Sequence, residues 1–122
     1  MAAPRLPSRL WIGSYEFQLA QKPVDDPLFE GEADGITHFD LPARGIYLRD
    51  DLALRSLLEV VLHEITHAIH WAHDLDDAEK FDEEQVATVY GLAWSALLLA
   101  NPRFQRWLNH TVNAVRKAQA NA

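Results

Sequence analysis

The sequence predicts an α+β fold in one domain: a small antiparallel sheet of about three strands, followed by three helices. Three observations predict it. The first half of the chain alternates apolar and polar residues between turn-forming clusters. The second half carries apolar stripes at helical spacing, and strands followed by helices are the order of an α+β fold. A length of 122 residues supports one core and is too short for two. The single domain is therefore expected to span 1–122, with a sheet region at 9–49 and helices at about 50–73, 77–101 and 102–118.

Residues 9–20, RLWIGSYEFQLA, alternate from Tyr15 through Phe17 to Leu19 and are read as one half-buried strand. QKPVDDPLFEGEADG follows with prolines, glycines and carboxylates, which make a solvated loop. ITHFDLPARGIYL supplies two short strands, about 36–41 and 46–48, joined by a turn at Pro42 to Gly45.

From Asp50 or Asp51, either a suitable N-cap, to about Ala72 there is no glycine or proline. Leu54, Leu58, Val61, Ile65, Ala68 and Ala72 recur there at helical spacing, which predicts the first helix and its core face. The polar break HDLDDAEKFD offers a second cap, either Asp76 with Glu79 or Asp82 alone. The second helix carries Val86, Val89, Tyr90, Ala93 and Leu97 on one side. Asn101-Pro102 stops it and starts a third, since Asn caps and Pro suits a first turn. Phe104, Trp107, Leu108, Val112 and Val115 are the apolar stripe of that helix.

Composition excludes several functions. Apolar residues at 48% and charged residues at 24% are ordinary for a folded chain. With 11 Lys and Arg against 18 Asp and Glu, the net charge of -7 gives a phosphate backbone no general attraction, so nucleic acid is not expected as a partner. The absence of cysteine removes disulfides, thiolate nucleophiles and Cys-type zinc sites. Any metal must use His and carboxylate. The N-terminus lacks an apolar run of signal-peptide length, and GLAWSALLLA is about half of the ~20 residues a membrane span needs, so a cytoplasmic location away from membranes is expected. No G-x-S-x-G, phosphate-binding glycine loop or EF-hand pattern occurs.

Chemistry concentrates in LLEVVLHEITHAIHWAHDLDD, which holds four of the six histidines within eleven positions. His63-Glu64-Ile65-Thr66-His67 fits H-E-x-x-H on a helix. Positions i and i+4 project side by side, so His63 and His67 can offer two imidazole nitrogens to one Zn²⁺ while Glu64 faces the open coordination position. The pair lies roughly opposite the apolar stripe, flanked by Val60 and Trp71.

Two histidines leave a zinc site incomplete. A helical projection sets Glu83 among Val86, Ala87, Tyr90, Trp94 and Leu97, where an unpaired carboxylate is expensive and a metal would neutralise it. Glu84 falls toward Thr88 and Ser95, the more polar side. His73 is the other candidate, at the spacing H-x-x-x-H-x-x-x-x-x-H. That spacing resembles metzincins and the bacterial endoribonucleases of ribosomal RNA maturation, but both need a glycine where this chain has His70. The methionine turn of metzincins has no counterpart either, since the only methionine is Met1.

LLEVVLHEITHAIH, an acidic loop, then EEQVATVYGLAW with NP behind it, resembles the small zincin-type metallopeptidases. In layout it is similar to ImmA/IrrE-type proteins and to short H-E-x-x-H proteins of phages and prophages. The resemblance spans about residues 35–102 and implies a zincin-like domain. It implies His63, His67 and Glu83 as zinc ligands, Glu64 as catalytic base, and a peptide or protein as substrate. The chain departs from ImmA/IrrE-type proteins in lacking an E-x-x-A-N-x-F-A run and a DNA-binding domain.

Zinc with three protein ligands and a water, whose pKa falls to about 7, meets the requirements of amide hydrolysis when a base stands beside it. A zinc-dependent peptidase is therefore the expected function. The alternatives are a zinc-binding interaction module without turnover and a metal-dependent ribonuclease using His73. Glu64 argues against both, because a structural site has no use for a base and the RNA-processing family has glycine there.

Overall fold

The computed structural model describes residues 4–29, 33–75 and 82–121. Its strands are β1 (Arg9–Ile12), β2 (Tyr15–Lys22), β3 (Gly35–His38) and β4 (Gly45–Arg49). They are followed by α1 (Leu54–Ala72), α2 (Glu83–Ala100) and α3 (Pro102–Ala120). The α+β class is as expected, with four strands in place of three. Residues 9–20 form a hairpin and not one strand, because Gly13, at φ 60, takes the first position of a two-residue turn where a tight hairpin needs positive φ.

The sheet is also mixed and not antiparallel throughout. Its order is β1-β2-β4-β3, with β2 parallel to β4 and both outer pairs antiparallel. After β2 the chain crosses to the far edge, returns as β3, and inserts β4 between β2 and β3. β4 is thus interior, and Ile46, Tyr47 and Leu48 are all buried.

Leu10, Ile12, Phe17 and Leu19 alternate with exposed residues on β1 and β2, so one sheet face carries the core. Against them pack Val61, Ile65, Ala68 and Ile69 of α1, Leu97 of α2, and Phe104 and Trp107 of α3. The buried stripe of α1 is Leu57, Val61, Glu64, Ile65, Ala68 and Ile69. It is rotated from the expected stripe: Leu54 is exposed, and Glu64 has turned inward.

Asp50 and Asp51 do not cap α1, whose N-cap is Ala53. The Asp51 carboxylate instead takes a two-pronged hydrogen bond from Arg49, at 2.9 and 2.7 Å, which holds its carboxyl below the usual range. α1 ends where Asp74 adopts φ 53 and the Leu75 amide donates to the His70 carbonyl, a Schellman-type stop. Asp82 caps α2 in a reciprocal box with Gln85. The other expected cap, Asp76 with Glu79, and a helix start near 77 lie outside the described residues.

Asn101 separates α2 from α3 as expected, yet its side chain makes no N-cap bond to α3 and turns back to the last turn of α2 and to β1. Its carboxamide accepts from the Trp11 amide at 2.9 Å and donates to the Trp11 and Leu97 carbonyls at 2.8 Å each. Trp11 is on β1, the sheet edge away from β3, so Asn101 satisfies that edge as a neighbouring strand would. Replacing Asn101 by Ala leaves a main-chain donor and two acceptors without this partner. We expect a loss of about 2–4 kcal/mol in urea unfolding; a loss under about 0.5 kcal/mol would contradict the bridging role.

Candidate metal centre

α1 brings His63 and His67 together one turn apart, as the i, i+4 spacing requires. Their Nε2 atoms lie 3.1 Å apart, with the rings nearly perpendicular. Two imidazole nitrogens held tetrahedrally at about 2.0–2.1 Å from one zinc ion stand roughly 3.3–3.4 Å apart. The pair is therefore close to the spacing one ion needs, and both rings are exposed on the same side of the helix.

Glu64 completes the cluster. Among the described residues, the ligand atoms of His63, Glu64 and His67 form a group lying within 4.8 Å of one another. Glu64 is 6% exposed, and its Oε2 is 3.8 Å from His63 Nε2. Its Oε1 accepts a 2.9 Å hydrogen bond from the Thr37 hydroxyl of β3, the one hydrogen-bond donor to this carboxylate among the described residues. A buried carboxylate with one neutral donor is an expensive arrangement in the absence of a cation. The donor set of two convergent imidazoles beside such a carboxylate fits a divalent metal.

Thr37 escaped the sequence reading, because nothing local marks a strand threonine as the partner of a helix carboxylate 27 positions away. The strand reaches that carboxylate because Gly35 precedes it. A Cβ at Gly35 would meet Val60 Cγ1 at 2.7 Å, Glu64 Cγ at 3.2 Å and Leu48 Cδ2 at 3.3 Å. Only a residue without a side chain lets β3 lie this close to α1.

The open space above the cluster follows the same strand. One cleft of about 370 Å³ is lined by Gly35, Ile36, Thr37, Phe39, His63, Glu64 and His67. A second, of about 390 Å³, shares Gly35, His63 and Glu64 and extends to Ala33, Asp34, Glu59 and Val60. A larger cleft of about 450 Å³, between Pro7–Arg9 and Ala100–Phe104, is lined by no histidine or carboxylate. Beside the His63, Glu64 and His67 cluster, β3 pairs with β4 alone among the described residues. The edge strand at the site is β3, because β4 is sandwiched between β2 and β3.

Beyond the cluster, Trp71 stacks on Phe39 at 5.3 Å and packs on Tyr15 at 4.7 Å, with the Arg44 guanidinium 5.1 Å over both Trp71 and Tyr15. These contacts fasten the segment after β3 to α1. His70 is half-buried, and its Nδ1 is 2.9 Å from the Tyr90 hydroxyl of α2. His73 is exposed as the C-cap of α1 and does not join the cluster, since the helix runs on through the position where the H-x-x-x-H-x-x-x-x-x-H patterns have glycine.

Glu83 is not brought to the cluster either. It is exposed, as is Glu84, and does not face the apolar side as its helical projection suggested. It is the first residue of α2, and the buried residues of that helix are Ala93 and Leu97, toward its other end. At the helix N-terminus both carboxylates complement the macrodipole.

No family model matches the chain, and no curated protein or solved structure matches it either. No helix among the described residues is long and apolar enough to cross a membrane.

The close approach of β3 to α1 is testable by itself. Gly35→Val must push Val60 or the strand aside, and we expect it to destabilise the fold by about 1–3 kcal/mol in urea unfolding. A neutral result would mean that the strand does not lie against the helix at this point.

Proposed function

We propose that this protein is a zinc-dependent peptidase in which His63 and His67 hold the metal and Glu64 is the general base. The observation that carries the proposal is the convergence of two imidazole nitrogens 3.1 Å apart beside a buried carboxylate whose Oε2 faces them. The resemblance of the H-E-x-x-H helix and its surroundings to small zincin-type peptidases supports the same reading. Glu83, which is exposed and outside the cluster in this structure, is proposed as the third protein ligand on the resemblance alone, with Glu84 as the competitor that substitution must exclude.

A zinc ion held there would supply a water acidified to a pKa of about 7 and a Lewis acid for the scissile carbonyl. The remaining work falls to the chain. Glu64 Oε2, on the side of His63, would take a proton from the attacking water and return it to the departing amine, the role of a general acid-base carboxylate. The open edge of β3 is suited to receive an extended peptide by strand addition, which would lay main-chain carbonyls along the cleft over His63 and His67. Substrate of this class also suits a shallow cleft, because main-chain pairing supplies binding where walls are few.

The test combines metal content with turnover on a quenched-fluorescent peptide library. The wild type is expected to hold one zinc after mild chelation, and His67→Ala to lose it. Glu83→Gln is expected to lose zinc while Glu84→Gln and His73→Ala keep it. Glu64→Gln should keep zinc and lower cleavage by roughly 10²–10⁴-fold. Zinc without cleavage of any peptide would refute the peptidase reading in favour of a binding module. Absence of zinc from the wild type would refute the metal site.

A further inference from the structure

We infer that Thr37 is a positioning residue that fixes the direction of the Glu64 carboxylate, an inference that rests on the reading of Glu64 as the base. The Thr37 hydroxyl is 2.9 Å from Glu64 Oε1 and 3.3 Å from the Glu64 main-chain carbonyl. It has one proton to give, and the shorter contact goes to the carboxylate, the stronger acceptor.

The geometry divides the two carboxylate oxygens between two tasks. Oε1 is tied to β3, while Oε2 is turned toward His63 Nε2 at 3.8 Å. The terminal torsion of a glutamate is broad and roughly two-fold, so an untied carboxylate samples many directions. A single donor on one oxygen narrows that range and leaves the other oxygen free for a proton.

The strand is built to deliver this hydroxyl. Gly35 and Thr37 are two apart and so share the strand face toward α1. The first permits the close approach and the second uses it. Threonine is β-branched and stiff at χ1, which suits a strand and holds the hydroxyl in one direction. Pairing of Thr37 with Ile46 on interior β4 anchors the strand from its other side.

The experiment uses zinc-loaded full-length protein and acetohydroxamate, a chelator whose bound form gives a hydrogen bond to a carboxylate beside the metal. Calorimetric affinity is measured for wild type, Thr37→Val, Thr37→Ser and Glu64→Ala, with zinc content checked in each. Thr37→Val is expected to keep its zinc and bind acetohydroxamate roughly tenfold more weakly, as loss of a hydrogen bond to a charged group implies. Thr37→Ser should stay within about twofold of wild type, since it retains the hydroxyl. On a cleaved peptide, Thr37→Val should lower kcat and leave KM unchanged. Wild-type affinity in Thr37→Val overturns the proposal, and so does a Ser variant as weak as the Val variant. If Glu64→Ala binds the chelator as well as wild type does, the base assignment itself has failed and the role of Thr37 falls with it.

Discussion

The close contact between β3 and α1 at Gly35 is the constraint on which the site depends. A side chain there would collide with Val60 at 2.7 Å, and the strand would have to lift away from the helix. With it would go the Thr37 contact to Glu64 and the two clefts lined jointly by strand and helix. One missing Cβ therefore connects packing to chemistry: it brings an edge strand down onto the helix that carries the histidines.

The two sheet edges are treated differently, and the difference suits the proposed activity. At β1 the main-chain groups of Trp11 are taken by the Asn101 carboxamide, so that edge is bridged at this residue from within the molecule. At β3 the described residues supply a partner on the β4 side alone. Unpaired strand edges invite another strand, and proteins usually blunt them. An edge left open beside a cluster of two histidines and a buried glutamate is consistent with a place for an extended chain.

Much of the site was legible in the sequence because it is local. His63, Glu64 and His67 lie within one helical turn and a fraction of the next, so spacing alone sets their relation. The α1 stripe was half right: Val61, Ile65 and Ala68 are buried, but Leu54 is exposed and Glu64 is buried in its place, an orientation that packing against the sheet decides and helical spacing does not. The hairpin at Gly13 was absorbed into a single strand, since the alternation from Tyr15 through Phe17 to Leu19 was extended back to Arg9 across it. Strand order was not legible at all, because the crossover that puts β4 inside depends on contacts between distant segments. The same holds for Asn101, where local chemistry suggested a cap for α3 and the side chain instead joins a distant strand to the last turn of α2. Glu83 illustrates the opposite limit: a helical projection assumes the core runs the full length of a helix, and here it does not reach the first turn.

The most direct test of the account is anomalous X-ray scattering at the zinc edge from crystals of the full-length protein grown with zinc. The account predicts one strong peak, about 2.0–2.1 Å from the Nε2 atoms of both His63 and His67, with Glu64 beside the ion and not among its ligands. An ion bound instead at His73 or His110, or no peak at the histidine pair, would contradict it.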